Sequence, residues 1–264
     1  MPSSVSLPYV EPDLPPVFVV PVTRPLHWLA RGVHDVMSAP QPTLLHGLIV
    51  ALAGWVAAAL GARWPWLVPG AFSGFVLVAP ILVTGLYEAS RLIELGRRPT
   101  LADCVGAWRR GTRPLVQLGM LLLLAGTAWV AVSALLFTLF VKAPLGDPVA
   151  FLRYVVRGQG DLLFLMWTLL GGLGAALIFA LTAVSAPLML ERRVGLRRAL
   201  LTSVRAVGDN PAATGLWAAM IMLATLLSIF TGMLGFVLSV PVLGCAAWHA
   251  YRDLVDSAAL PLRH

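Results

Sequence analysis

Residues 235–254 read GFVLSVPVLGCAAWHAYRDL, and an earlier stretch, residues 74–92, reads GFVLVAPILVTGLYEASRL. Aligned without a gap, the two stretches share an opening Gly-Phe-Val-Leu, a central proline (Pro80 and Pro241) and an arginine near the end. Each starts apolar and ends in ionisable residues, which is typical of a membrane-spanning helix that reaches the membrane surface. The similarity predicts that the chain repeats one structural unit.

The composition indicates a membrane protein. Of the 264 residues, 59% are hydrophobic and 12% are charged, whereas soluble domains contain about 25% charged residues. Only helices and closed barrels satisfy the backbone in lipid. The apolar runs lack the alternation of barrel strands, so we predict an all-α, polytopic membrane helical bundle.

Six apolar runs are long enough to cross a bilayer. The uncharged stretch from Leu216 to Leu243 is too long for one span, and Thr231-Gly232 is the turn signal that divides it. The predicted spans one to six are Thr43–Ala62, Trp66–Ile93, Leu115–Val141, Leu162–Leu190, Ala212–Thr231 and Met233–Leu254.

The distribution of basic residues predicts the orientation. All but four of the 19 lysines and arginines fall on one side of the predicted bundle; the exceptions are Arg63, Lys142, Arg153 and Arg157. Because cytoplasmic loops are enriched in Lys and Arg, we expect both termini in the cytoplasm of a bacterial inner membrane. The basic residues flank the apolar runs, so the net charge of +7 does not indicate nucleic-acid binding.

A short amphipathic segment ending near a proline precedes each odd-numbered span. These segments read PLHWLARGVHDVMSAP, PTLADCVGAWRRGTRP and VGLRRALLTSVRAVGDNP. In the first, Leu26, Leu29, Val33, Val36 and Met37 form one apolar face. The second begins with a capping-box pattern at Thr100 and Asp103.

We therefore predict three pseudo-equivalent hairpins, each preceded by an interfacial helix. The units cover about residues 26–98, 99–194 and 195–256, after a Pro-rich extended tail (1–25) and before a short C-terminal tail (257–264). Pro187 occupies the proline position of span four. We expect helix bends at Pro80 and Pro241, because proline cannot donate the i to i−4 hydrogen bond.

The motifs LPYV, RPLHWLARGVHDVMSAP, SGFVLVAPILVTGLYEASR, SAPLMLERRV and WHAYRDLVD follow one another along the chain. In this order, from about Leu7 to Asp256, they resemble the uncharacterised bacterial inner-membrane family named domain of unknown function 2189. The resemblance implies a six-span integral membrane protein and brings no established activity.

The candidate functional residues lie at the predicted cytoplasmic ends of spans two and six. They are Glu88, Arg91 and Glu94 in span two, and His249, Arg252 and Asp253 in span six. Ionisable residues at membrane depth are functional candidates. We interpret the first three as an exposed interfacial charge cluster in which Arg91 neutralises Glu88 or Glu94; a small polar site where the two helix ends converge is the alternative.

No cofactor or metal site is expected. Haem–copper chemistry needs several intramembrane histidines, and only His46 and His249 touch predicted spans. Neither His34-Asp35 nor His249 with Asp253 completes a metal site. The two cysteines, Cys104 and Cys245, are not expected to form a disulfide.

Two functional hypotheses follow. The first is a non-enzymatic scaffold or accessory subunit, since the sequence offers no catalytic constellation; its partners would be membrane lipid, other membrane proteins or a second copy in a homodimer. The second is a small-solute transporter or channel. The predicted midplanes carry only Ser, Thr, Pro and Gly as non-apolar residues, which disfavours ion coupling.

Overall fold

The computed structural model describes residues 14–64, 82–109, 113–140 and 161–263, and within these ranges the regular elements are α-helices. They are α1 (Arg24–Ser38), α2 (Pro40–Arg63), α3 (82–94), α4 (Leu101–Arg109), α5 (Arg113–Phe140), α6 (Asp161–Thr182), α7 (Ser185–Glu191), α8 (Leu196–Asp209), α9 (Pro211–Phe230) and α10 (Phe236–Leu254). The all-helical prediction is confirmed.

Four helical segments are long and apolar enough to cross a membrane. They are Pro40–Arg63, Arg113–Phe140, Leu162–Glu191 and Pro211–Phe230, and they correspond to predicted spans one, three, four and five. Most of predicted span two, up to residue 81, lies outside the described residues. Predicted span six is the helix α10, whose 19 residues extend about 28 Å. It is not among the four apolar segments, because the polar residues of its C-terminal half lower its mean hydropathy.

The turn between α9 and α10 lies where the sequence predicted it. The helix α9 ends at Phe230, and Gly232 and Met233 follow with positive φ angles of 62° and 70°. The Met233 N–H donates to the Ser228 carbonyl at 2.9 Å, which closes the helix end. Glycine adopts this left-handed conformation without steric cost.

Each of the three predicted amphipathic segments forms a short helix followed by a long one. The pairs are α1 with α2, α4 with α5, and α8 with α9. Pro40, Pro114 and Pro211 lie at the first or second position of the long helices, where the missing N–H costs nothing. The predicted capping box forms: Asp103 N–H donates to Thr100 Oγ1 at 3.2 Å and Thr100 N–H to Asp103 Oδ2 at 2.9 Å.

The buried face of α1 differs from the apolar face that the sequence indicates. Of the predicted face, Val36 is buried, but Leu26, Val33 and Met37 are exposed, Met37 to 76%. Trp28 and Asp35, which lie outside the predicted face, are buried. The reason is that hydropathy does not separate inside from outside when the surroundings are apolar. Close helix contact decides instead, and at Gly32 of α1 an added Cβ would lie 2.5 Å from the Val242 carbonyl oxygen.

The three candidate kink prolines have different outcomes. Pro80 lies outside the described residues. Near Pro187 the helix breaks at residues 183–184, between α6 and α7, because proline has no N–H for the Ala183 carbonyl and its ring crowds that group. Pro241 lies inside α10, and the helix continues through it.

The helix α10 packs against α1, α2 and α9, and most of the core lies around its C-terminal half. Trp28 of α1 meets Trp217 of α9 edge to face at 6.0 Å. Trp248 and Tyr251 of α10 are fully buried beside them in the same cluster. The helices α5 and α6, by contrast, expose most of their apolar side chains.

Both tails contact the same end of the bundle. The extended residues 14–20 run beside the end of α10: Val17 forms an isolated antiparallel bridge with Val255, and the Phe18 N–H donates to the Leu254 carbonyl at 3.0 Å. The Asn210 side chain accepts from the Val20 N–H at 2.8 Å. The C-terminal tail pairs at Leu262 with Arg192.

Candidate functional site

Ionisable and hydrogen-bonding side chains meet at the end of the bundle formed by the C-terminal half of α10. We call this group the acid–base network; its members are Asp35, Glu88, Arg91, Glu94, Glu191, Trp248, His249, Tyr251, Arg252 and Asp253. It contains all six predicted site residues. It also contains Asp35 of α1 and Glu191 of α7, which the sequence analysis did not place in this group.

Asp35 of α1 and His249 of α10 form a buried pair. Asp35 Oδ2 lies 2.8 Å from His249 Nε2, and the two side chains are 3% and 5% exposed. Asp35 occupies the face of α1 that also presents Gly32 to α10, so the close helix contact carries the carboxylate inside. The other ring nitrogen, His249 Nδ1, is buried and has no hydrogen-bond partner among the described residues.

Glu88 and Arg91 form an ion pair within α3. Arg91 donates from Nε to Glu88 Oε2 and from an Nη to Glu88 Oε1, both at 2.8 Å, so the pair is bidentate. Glu88 is 4% exposed and Arg91 keeps 30% of its side chain accessible. Our interpretation of Glu88 as exposed is therefore wrong: its carboxylate is buried and neutralised by the arginine one turn later.

Glu94 connects α3 to α10. Its carboxylate accepts from Trp248 Nε1 at 2.9 Å and from Arg252 Nε at 3.2 Å. Arg252 also reaches Glu191 at the end of α7, with an N–O distance of 3.5 Å. One arginine of α10 thus lies between acidic residues from the ends of α3 and α7.

Glu191 is the acceptor shared by the largest number of groups in the network. Tyr251 Oη donates to its Oε2, which also accepts from Ser257 Oγ at 3.2 Å and from Arg192 Nε at 3.1 Å. One signal in the sequence marks Glu191: it lies just after the apolar run of span four, as Glu94 lies just after that of span two.

Asp253 of α10 accepts hydrogen bonds from the first turns of α1. It accepts from Arg24 Nε at 2.7 Å and from Trp28 Nε1 at 2.8 Å, and Arg31 lies 3.5 Å away. The hydrogen bond to Asp253, together with its charge, raises the pKa of Arg24. Although His249 and Asp253 share an i, i+4 spacing, each bonds to α1 instead of forming a pair.

The network consists of ion pairs and hydrogen bonds. Among the described residues, no three His, Cys, Asp or Glu side chains are arranged to hold a metal ion. Cys104 and Cys245 are both buried and both free. What the arrangement can do chemically is hold charges and protons between helices.

The comparison with protein families confirms the resemblance inferred from the motifs. The family described as "Predicted integral membrane protein (DUF2189)" matches residues 67–191. This range is shorter than the stretch from Leu7 to Asp256 over which we noted the resemblance. No curated protein and no solved structure matches the chain.

Proposed function

Because this is a multi-pass membrane protein that matches the family named domain of unknown function 2189 over residues 67–191, we propose that it is a non-enzymatic scaffold or accessory subunit of a bacterial inner membrane. It packs against other membrane proteins or lipid. Its bundle has six spans in three hairpin units, and both termini lie in the cytoplasm.

The observation that carries this proposal is the apolar surface of α5 and α6. Leu124 of α5 is 68% exposed and Leu173 of α6 is 71% exposed. Few residues of either helix are buried within the protein itself, so the two helices offer a long surface to lipid or to another membrane protein.

The acid–base network supports a structural function. Arg91 is paired with Glu88, Arg252 with Glu94 and Glu191, and Arg24 with Asp253. Charges that neutralise one another within the bundle fix helix positions, whereas a transport pathway needs polar groups that face a passing solute.

The exposed faces of α1 support lipid contact at the membrane surface. Its buried face packs on α10, and its exposed apolar face carries Leu26, Val33 and Met37. Arg31 and His34 lie on a third, polar face. A helix with one face toward protein, one apolar and one polar suits the boundary between acyl chains and headgroups.

The helix order supports the six-span architecture. A short helix precedes each of α2, α5 and α9. The helix α10 returns from the turn after α9 and is about as long as a hydrocarbon core is thick. Its residues 235–254 align with residues 74–92, so we assign spans two and six the same position in their units.

Co-purification tests the scaffold function. The tagged protein is isolated from native membranes in mild detergent, beside Leu173→Trp on the exposed face and the matched control Leu188→Met at a buried position. We expect a membrane protein in fixed stoichiometry with wild type and control, and its loss with Leu173→Trp. A protein that purifies alone and conducts a small solute in proteoliposomes would support the transporter hypothesis instead.

A further inference from the structure

We propose that Asp35 and His249 form a proton-binding site, with His249 Nδ1 as the atom that takes up the proton. The pair joins α1 to α10 with a 2.8 Å contact between Asp35 Oδ2 and His249 Nε2. Both side chains are more than nine-tenths buried. The proposal goes beyond the scaffold function and does not depend on it.

The balance of charge around Asp35 favours a proton at this pair. The buried carboxylate of Glu88 faces Arg91, and the partly buried carboxylate of Asp253 faces Arg24. Asp35 differs, because its contacts among the described residues are two imidazoles: His249, and the largely exposed His34 at 3.7 Å. Burying a carboxylate without a permanent cation beside it costs free energy. A proton bound next to Asp35 therefore stabilises this pair more than it would stabilise the carboxylates that already face an arginine.

The unpartnered ring nitrogen of His249 is the atom that can accept this proton. When His249 is neutral, its Nε2–H donates to Asp35 and Nδ1 carries a lone pair. That lone pair has no hydrogen-bond donor among the described residues. Addition of one proton from water at Nδ1 breaks no bond, leaves the Nε2–H in place and converts a buried pair of net charge −1 into a neutral ion pair.

Among the described residues, the neighbouring arginines have other acidic partners: Arg31 of α1, one turn before Asp35, lies 3.5 Å from Asp253. On α10 the neighbouring ionisable groups have partners of their own or are neutral thiols. Tyr251 donates to Glu191, Arg252 pairs with Glu94 and Glu191, Asp253 pairs with Arg24, and Cys245 is a free thiol. On α3, Glu88 is paired with Arg91. On α2, His46 Nδ1 contacts the Pro42 carbonyl at 2.7 Å. Because these groups are paired elsewhere, His249 and His34 are the described groups that can balance the charge of Asp35 by taking up a proton.

The position of the pair gives proton binding a structural consequence. Gly32, three residues before Asp35, places the backbone of α1 against Val242 and Ala246 of α10. A change of net charge at Asp35 and His249 therefore acts beside this close backbone contact, and α1 is the element that responds.

Nitrogen-15 NMR of the full chain, labelled at histidine and held in lipid nanodiscs, tests the site between pH 5 and pH 9. His249 is assigned with His249→Gln or, if that variant does not fold, by elimination with glutamine at His27, His34, His46 and His264. We expect the Nδ1 signal to change from an unprotonated to a protonated nitrogen as the pH falls, while Nε2 stays protonated.

Asp35→Asn is the decisive variant and His34→Gln the matched control. Removal of the carboxylate should raise the proton concentration needed for half-protonation by roughly tenfold or more, whereas His34→Gln should change it by less than about threefold. If Asp35→Asn does not fold, Asp35→Glu should keep the wild-type titration. A His249 signal that does not titrate, or titrates identically in Asp35→Asn, overturns the proposal.

Discussion

Gly47 of α2 lies directly against the carbonyl of Val237 in α10, so close that an added Cβ would overlap the carbonyl oxygen. This carbonyl receives no helical hydrogen bond from residue 241, because that residue is proline and has no N–H to donate four residues back. The proline repeated between spans two and six thus marks a place in α10 where another helix backbone comes very close.

Gly47→Ala should separate α2 from α10 and lower the free energy of unfolding by about 1–3 kcal/mol, because the obstacle is backbone and cannot rotate away. The measurement is thermal unfolding of the purified protein in detergent. Gly208→Ala in α8 is the matched control, since nothing lies within 4 Å of the added methyl, and it should be neutral or stabilising. Equal stability of the two variants would contradict the close contact.

Glu88→Gln should lower the free energy of unfolding by about 1–3 kcal/mol, more than an exposed pair is worth, because it leaves Arg91 without its bidentate partner. The decrease in the free energy of unfolding should be smaller than for breaking a fully buried ion pair, since the Arg91 side chain is 30% exposed. Urea or thermal unfolding in detergent measures the difference.

The control for Glu88 is Asp209→Asn, which removes the charge facing Arg205 in a pair where both side chains are about half exposed. For this variant the free energy of unfolding should change by less than about 1 kcal/mol. If Glu88→Gln and Asp209→Asn are equally mild, the Glu88 carboxylate is better solvated than its burial indicates.

Cys104 should resist alkylation in the native protein. Burial, with a smaller contribution from the charge of Asp103, raises the pKa of this thiol from 9.0 to about 12. Because the thiolate is the reactive form, the thiolate fraction near pH 8 falls roughly a thousandfold, and the thiol is shielded from reagent as well. Maleimide labelling followed by mass spectrometry checks this, since labelling should become fast once detergent unfolds the chain.

Ser38→Cys provides the comparison for Cys104, because residue 38 is exposed at the end of α1. It should react within minutes under conditions where Cys104 does not. Rapid native labelling of Cys104, from pH 7 onward, would show that α4 does not pack over the thiol.

Reporter fusions test the six-span topology. A fusion at Gly106, in α4, and one at Gly195, before α8, should both report the cytoplasm, because the arginines that flank them follow the positive-inside rule. A fusion at Pro148 should report the periplasm. A cytoplasmic signal at Pro148 would reduce the number of spans.

The sequence by itself determined the features that depend on local chemistry. Apolar runs without alternation predict helices, Thr231-Gly232 predicts the turn after α9, and Thr100 with Asp103 predicts the start of α4; the structure has all three. Each signal works within one or two helical turns, where residue type and spacing fix the backbone hydrogen bonds.

Only the tertiary structure decided which helix faces meet and which charges pair. Asp35 lies 214 positions from His249, and Trp248 lies 154 positions from Glu94, so no local spacing could connect them. The apolar residues of α1 were a poor guide as well, because Val36 is buried but Leu26 and Val33 face outward. In lipid, apolar side chains are as well placed outside as inside, so glycines and buried polar groups decide how the helices pack.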